Sequence, residues 1–405
     1  MNKRIHIIAG GTINKFSPHA AISSPAYGKT GRILEKLCKE RFEHLDVHLH
    51  LTKMANSGNG TLETNEDVSN LIDRLISEES TKIIFMPVAL ADYSVELSNE
   101  TKNGDKLNSK QVPDVKFILA PKLISKIRKT RKDIYLVGFK ATSGLSEKEQ
   151  YWAGLSLLKG SSCNLVLAND NKSRVNMIVT PEEATYHVSN DREATLKELV
   201  DIVWHRSHLT FTQSSILTGD PVDWNSAEIP SSLREVVNYC IKRGVYKPFN
   251  GATAGHFAAK ISNNTFLTSI RKTNFNDLPR LGLVKVVTDG PDAVLAYGAK
   301  PSVGGQSQRI VFNDHPGMDC IVHFHCPKKL GSKVNTVQQR TYECGSHACG
   351  KNTSDNLDTY GNLKCIYLDQ HGPNIVFNHT INPKEVIDFI EQNFDLDLKT
   401  GGPVY

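Results

Sequence analysis

Short apolar runs alternate with stretches of helical periodicity through about residue 206, and this alternation constrains the fold more than any other feature of the sequence. A run that is apolar throughout suits a strand covered on both faces. Amphipathic stretches between such runs suit the covering helices, so a parallel sheet is expected. The expected strands are residues 4–9, 47–51, 82–88, 134–139 and 164–168. Residues 32–42 read as a covering helix, with Ile33, Leu34 and Leu37 on one face. A hairpin over 176–180 and 185–188 and a helix over 193–205 complete this half.

A chain of 405 residues exceeds what one ordinary core organises, so two domains are expected. Residues 207–229 mix Thr, Ser, Gly and Pro without sustained periodicity and read as a linker between domains over 1–206 and 230–405. The second half predicts helices at 231–242 and 383–393. Its predicted strands are 266–269, 283–288, 293–297, 320–325, 364–368 and 374–377.

The net charge of +5 is spread along the chain, which suits anionic metabolites and argues against nucleic acid. The first apolar run is too short for a signal segment, and no stretch reaches membrane-spanning length. Eight cysteines in so long a chain make no disulfide framework, so a reducing cytoplasmic setting is expected.

Gly10-Gly11-Thr12 follows the first strand, where glycines let backbone N–H groups approach a phosphate. Gly28-Lys29-Thr30 suggests a P-loop, but that motif needs glycine at position 23, which is Ser. The ordered set comprises Ile8-Ala9-Gly10-Gly11-Thr12, the 23–31 segment, Val88-Ala89-Leu90-Ala91-Asp92-Tyr93, Lys106-Leu107-Asn108-Ser109, Val137-Gly138-Phe139-Lys140 and Leu167-Ala168-Asn169-Asp170. Together these segments resemble the phosphopantothenate–cysteine ligase family over most of residues 4–200. The resemblance implies an acid–amino-acid ligase of coenzyme A biosynthesis, using CTP or ATP with Mg2+ on phosphopantothenate and cysteine. It implies Lys106 as the charge-stabilising lysine, Asp92 at substrate or nucleotide, and Gly10, Gly11 and Thr12 near phosphate. Phe139, Ala168, Asn169 and Asp170 would line the nucleotide pocket. Ser24 stands where that family carries the asparagine that helps hold the acyl intermediate.

In the second half, His323 and His325 flank Phe324 in a strand-like run, and side chains two apart share a face. Two imidazoles so placed can grip one divalent ion, and His371 before Gly372-Pro373 is a third candidate. Cys344, His347 and Cys349 read as the start of a helix and not as a second site.

The histidines resemble, in their order, those of the class II aldolase/adducin family. The segments 251–256, 266–269, 300–302 and 345–347 agree. The resemblance implies Zn2+ or a similar ion on His323, His325 and His371, with a sugar phosphate or like anion held by Thr253, Ser269, Arg271 and Ser302. Gly304 stands where that family's catalytic acid belongs, so a metal-assisted variant of the chemistry, or a fold kept for assembly, is expected in place of an ordinary retro-aldol reaction. The expected architecture is a Rossmann-like parallel-sheet domain followed by an aldolase-like α/β domain with a largely antiparallel central sheet. Both families imply a homo-oligomer. Two other readings stay open: a metal-dependent lyase, epimerase or dehydratase on a phosphorylated sugar with a ligand-binding first domain, and a non-catalytic scaffold.

Overall fold

Ile5, Ile7 and Ile8 are completely buried in β1 (Arg4–Gly11), as a strand covered on both faces requires. The computed structural model describes residues 3–97, 102–103, 106–107, 110, 112–302 and 305–400. It divides the chain into one unit of Met1–Thr180 with Tyr186–Ser207 and a second of Pro181–Thr185 with His208–Tyr405. Among the described residues, no helix is long and apolar enough to cross a membrane.

Besides β1, the first unit includes α1 (Lys29–Arg41), β2 (Asp46–Leu51), α2 (Asn65–Ser77) and β3 (Thr81–Met86). Then come β4 (Tyr135–Thr142), α3 (Glu147–Ser161), β5 (Leu165–Asp170), β6 (Asn176–Val179), β7 (Thr185–Ser189) and α4 (Arg192–Arg206). The sheet order is β7-β6-β5-β4-β3-β1-β2, with every pairing from β5 to β2 parallel and β6 antiparallel to β5. This is the Rossmann-like sheet expected. Two helices start on reciprocal caps: Thr64 with Asp67 for α2, and Ser146 with Glu149 for α3. Each cap satisfies helix N–H groups that have no partner within the helix.

The second unit contains β8 (Gln213–Leu217), α5 (Ser231–Lys242), β9 (His256–Lys260), β10 (Thr265–Thr268), β11 (Val284–Thr288), β12 (Ala293–Tyr297) and α6 (Gly305–Asp314). It continues with β13 (Cys320–His323), α7 (His347–Asp355), β14 (Leu363–Leu368), β15 (Gly372–Phe377) and α8 (Pro383–Asn393). The sheet runs β8-β12-β11-β10-β9-β13-β15-β14, antiparallel from β12 through β14, as the sequence predicts. Alternation along β9 and β13 sends Phe257 and Val322 into a core with Leu233 and Val237 of α5 and Ile390 of α8. Ala258 and Ile321 enter a second core on the other face, with Val311 of α6 and Cys349 of α7. Each such aliphatic side chain, fully buried, contributes about 1.5–3 kcal/mol.

Part of the segment read as a linker is ordered. β8 pairs in parallel with β12, and its side chains are mostly exposed, so an edge strand there carries no apolar period to read.

Candidate functional site

β13 lies between β9 and β15, and the register sets His323 opposite His256 on one side and Asn374 on the other. The strand ends at His323, short of the predicted 320–325, because the next ladder position on β15 is Pro373, which has no N–H to give. His325 therefore lies just beyond the strand. His371 sits in the turn before β15. His323, His325 and His371 are all buried, and one ligand atom from each lies within 4.8 Å of the others.

The ring geometry fits a shared ion. His323 Nδ1 lies 2.8 Å from the Pro373 carbonyl, which can only accept, so Nδ1 carries the proton and Nε2 keeps its lone pair. That Nε2 is 3.2 Å from His371 Nε2. Two nitrogens bound to one tetrahedral zinc are about 3.3 Å apart. Burial lowers the His323 pKa to about 4, partly opposed by the Pro373 hydrogen bond, so the ring is neutral and able to ligate at neutral pH. Cys326, by contrast, lies in the α5 and α8 core.

The backbone around the triad leaves little freedom. Gly372 adopts φ 136°, and a Cβ there would lie 2.0 Å from the Phe324 carbonyl oxygen. Thr400 donates its N–H to the His325 carbonyl (3.1 Å) and its hydroxyl to the His371 carbonyl (2.8 Å).

Sequence reasoning did not assign two features beside the triad. The His256 ring lies 4.8 Å from the His323 ring and bonds through Nδ1 to Gln308 Nε2 at 2.6 Å, while Gln308 Oε1 accepts from Thr268 at 2.8 Å. Burial, then the neighbouring His323 ring, holds His256 well below the usual histidine range. His256 ends the 251–256 segment that the sequence singled out. Glu183 is the other feature. Its buried carboxylate is 3.8 Å from His325 Nδ1 and pairs with Lys399. Nothing local in its sequence marks it.

Three of the four anion candidates are neighbours. Ser302 N–H donates to the Ser269 carbonyl, and Arg271 N–H donates to the Lys300 carbonyl, both at 2.9 Å. Ser269 is fully buried, and its hydroxyl has no hydrogen-bond partner among the described residues. The Thr253 hydroxyl instead secures its own turn, accepting from Phe275 N–H at 3.0 Å. Gly304 lies outside the described residues.

In the first unit the glycine turn differs from the phosphate cradle expected. Gly11 N–H donates to the Ala26 carbonyl (2.8 Å) and Thr12 N–H to the Ala89 carbonyl (3.0 Å), so neither amide is left for a phosphate. The glycines answer close approach instead. A Cβ on Gly10 would lie 2.1 Å from Thr52 Oγ1, and one on Gly11 would lie 2.2 Å from the Ser24 carbonyl oxygen. Thr12 is buried, and its hydroxyl joins Asn65 Oδ1 in receiving the Ala91 N–H, which fixes the turn after Val88-Ala89. Asn65 was not singled out by sequence.

Asp170 also serves the scaffold. Its carboxylate accepts from Thr142 Oγ1 (2.9 Å) and from the N–H groups of Leu145 (3.2 Å), Lys172 and Ser173 (both 2.9 Å). These bonds, the Ser173 N–H first, hold its pKa well below the carboxylate range. Ala168 is buried, while Phe139 and Asn169 are half-buried near the carboxyl ends of β4 and β5. Ser24 donates its hydroxyl to the Leu90 carbonyl (3.0 Å), and Asp92 is exposed in the segment that follows. Lys106 begins the short strand Lys106–Leu107, and its side chain lies outside what the structure describes.

Comparison with known proteins gives a family match within the first unit. Residues 1–200 match the family described as the DNA/pantothenate metabolism flavoprotein C-terminal domain. The coenzyme A biosynthesis bifunctional protein CoaBC of Thermococcus kodakarensis is 26% identical over 175 residues, 42% of this chain and 42% of that protein. The chain thus spans about two fifths of the length of that curated relative. The DNA/pantothenate metabolism flavoprotein from Streptococcus pneumoniae aligns in structure at 17% identity and a TM-score of 0.42, over 50% of this chain and 98% of that one. An L-fuculose 1-phosphate aldolase aligns at 14% identity and a TM-score of 0.31, over 41% of this chain and 85% of that one.

Proposed function

We propose that the first unit is a nucleotide-dependent ligase of coenzyme A biosynthesis, joining phosphopantothenate to cysteine with CTP or ATP and Mg2+. The match of residues 1–200 to the flavoprotein C-terminal domain family carries this reading. An open parallel sheet takes its ligand at the carboxyl ends of its strands, here β1, β3, β4 and β5. Phe139 and Asn169 offer a ring face and an amide there, while Asp170 and Thr12 hold the surrounding turns. Lys106 offsets charge at the reacting phosphate, and Asp92 meets substrate. With the Gly11 and Thr12 amides spent, phosphate is held by side chains and by other turns. Ser24, in place of the family's asparagine, contacts the acyl group through a shorter side chain. The purified chain, given phosphopantothenate, cysteine and either CTP or ATP, should form phosphopantothenoylcysteine and pyrophosphate. Absence of product at saturating substrate refutes the reading.

For the second unit, the convergence of His323, His325 and His371 favours a metal-dependent lyase, epimerase or dehydratase acting on a phosphorylated sugar. Zn2+ or a similar ion, when bound, would polarise a substrate oxygen. The chain's own residues do the rest. Pro373 fixes the His323 tautomer, Ser269, Arg271 and Ser302 receive the anion, and Glu183 supplies a carboxylate that glycine at 304 cannot. The two domains, the second taking in Pro181–Thr185 and the chain from His208 on, work in a cytoplasmic homo-oligomer. Elemental analysis should find zinc that is lost from a His323→Ala/His325→Ala variant, and retention of that zinc refutes the ligand set. If the chain is instead a scaffold of two degenerate domains, neither nucleotides nor sugar phosphates will raise its melting temperature.

A further inference from the structure

A second group of imidazoles stands in the first unit, on residues that no candidate site above includes. In the parallel register His6 of β1 lies opposite His48 of β2, and Ile8 lies opposite His50. Alternation therefore puts His6, His48 and His50 on one face of two neighbouring strands. The opposite face is apolar, where Ile7, Ala9 and Leu49 meet Gly31 of α1. Sheet faces under helices are ordinarily apolar, so three histidines gathered on one are unusual.

The rings are organised. The His6 ring centre lies 5.3 Å from both the His48 and the His50 ring centres, and His6 Nδ1 is 3.1 Å from His50 Nε2. His6 is only 3% exposed, and its Nε2 has no hydrogen-bond partner among the described residues. His48 is exposed and His50 half-buried, so His48 can turn toward the other two without disturbing the core.

We propose that His6, His48 and His50 form a metal site of their own, taking a borderline divalent transition ion such as Zn2+ through one nitrogen from each ring. The separation of 3.1 Å between His6 Nδ1 and His50 Nε2 is close to that of two imidazoles sharing one ion. Burial, with help from neighbouring charges, lowers His6 to about 3 and His50 to about 4, so these two rings are neutral at neutral pH. Arg4 and Arg74 oppose a cation here, but Arg4 is paired with Glu78 at 3.0 Å, and Glu78 itself favours positive charge at His50. The site is independent of the triad in the second unit.

The test is zinc titration of chelator-stripped full-length protein, wild type against His48→Gln/His50→Gln. The variant should bind one equivalent fewer, whatever the other unit binds. Equal stoichiometry and affinity in the two proteins overturn the proposal and leave the His6–His50 contact as a hydrogen bond. If the double variant loses its cooperative melt, exposed His48 alone decides. Loss of an outer-shell partner already costs about 10–100-fold in affinity, so His48→Gln should weaken this site at least about tenfold. No change in that variant also overturns it.

Discussion

The two units use their sequence-marked residues in opposite ways. In the first, Gly11, Thr12 and Asp170 are consumed by the scaffold: their N–H groups or oxygens are bonded to neighbouring turns. In the second, His323 spends one nitrogen on Pro373 and turns the other toward His371. A backbone amide has a single hydrogen, so once it is given to a carbonyl it cannot also hold a ligand. An imidazole has two nitrogens, so it can be anchored and still offer a lone pair. A glycine-rich turn is therefore weaker evidence of a site than an anchored histidine.

Gly372→Ala should be the harshest test of this contrast. With φ 136° and a Cβ 2.0 Å from the Phe324 carbonyl oxygen, it should cost about 3 kcal/mol or more and displace His371. Thermal melts and zinc content measured together should fall together. In the first unit Gly11→Ala should cost about 1–3 kcal/mol, read in the same melts. An unchanged melt with weaker nucleotide binding would restore the phosphate role and break the contrast.

Asn65→Ala should cost about 1–3 kcal/mol, because it removes one of the two acceptors of the buried Ala91 N–H and a donor to the Ala91 carbonyl. Asp170→Asn should lower the melting temperature at neutral pH and flatten its acid dependence. The folded pKa is depressed, so the wild-type contribution is present above the unfolded value near 4 and is lost as pH falls below it. Melts from pH 7 downward decide this. A variant as acid-sensitive as the wild type would show the carboxylate to be incidental. The smallest effect belongs to Ser269→Ala. Its hydroxyl has no partner to lose, so stability should shift by less than about 1 kcal/mol while sugar-phosphate affinity drops, measured by calorimetry.

Much of the architecture was legible because burial writes a period into the chain. β1 reads as a continuous apolar run since both its faces are covered, and β13 was found for the same reason. The edge strand β8 was missed because exposure removes that period. Among site residues, the triad was legible from the short spacing of His323 and His325 and from the order of His371 after them. Glu183 was not, since its place beside His325 depends on contacts between distant segments.

By itself the sequence determined the two α/β layers, their sheet types and the identity of the imidazoles that could ligate. Those properties follow from local periodicity and side-chain chemistry, which need no partner. Tertiary structure alone decided which polar groups remain available. It closed the Gly11 and Thr12 amides against Ala26 and Ala89, and it fixed the His323 tautomer on Pro373. It also set His6 of one strand against His48 and His50 of the next. Hydrogen bonds and strand register join residues far apart in the chain, and no local pattern records them.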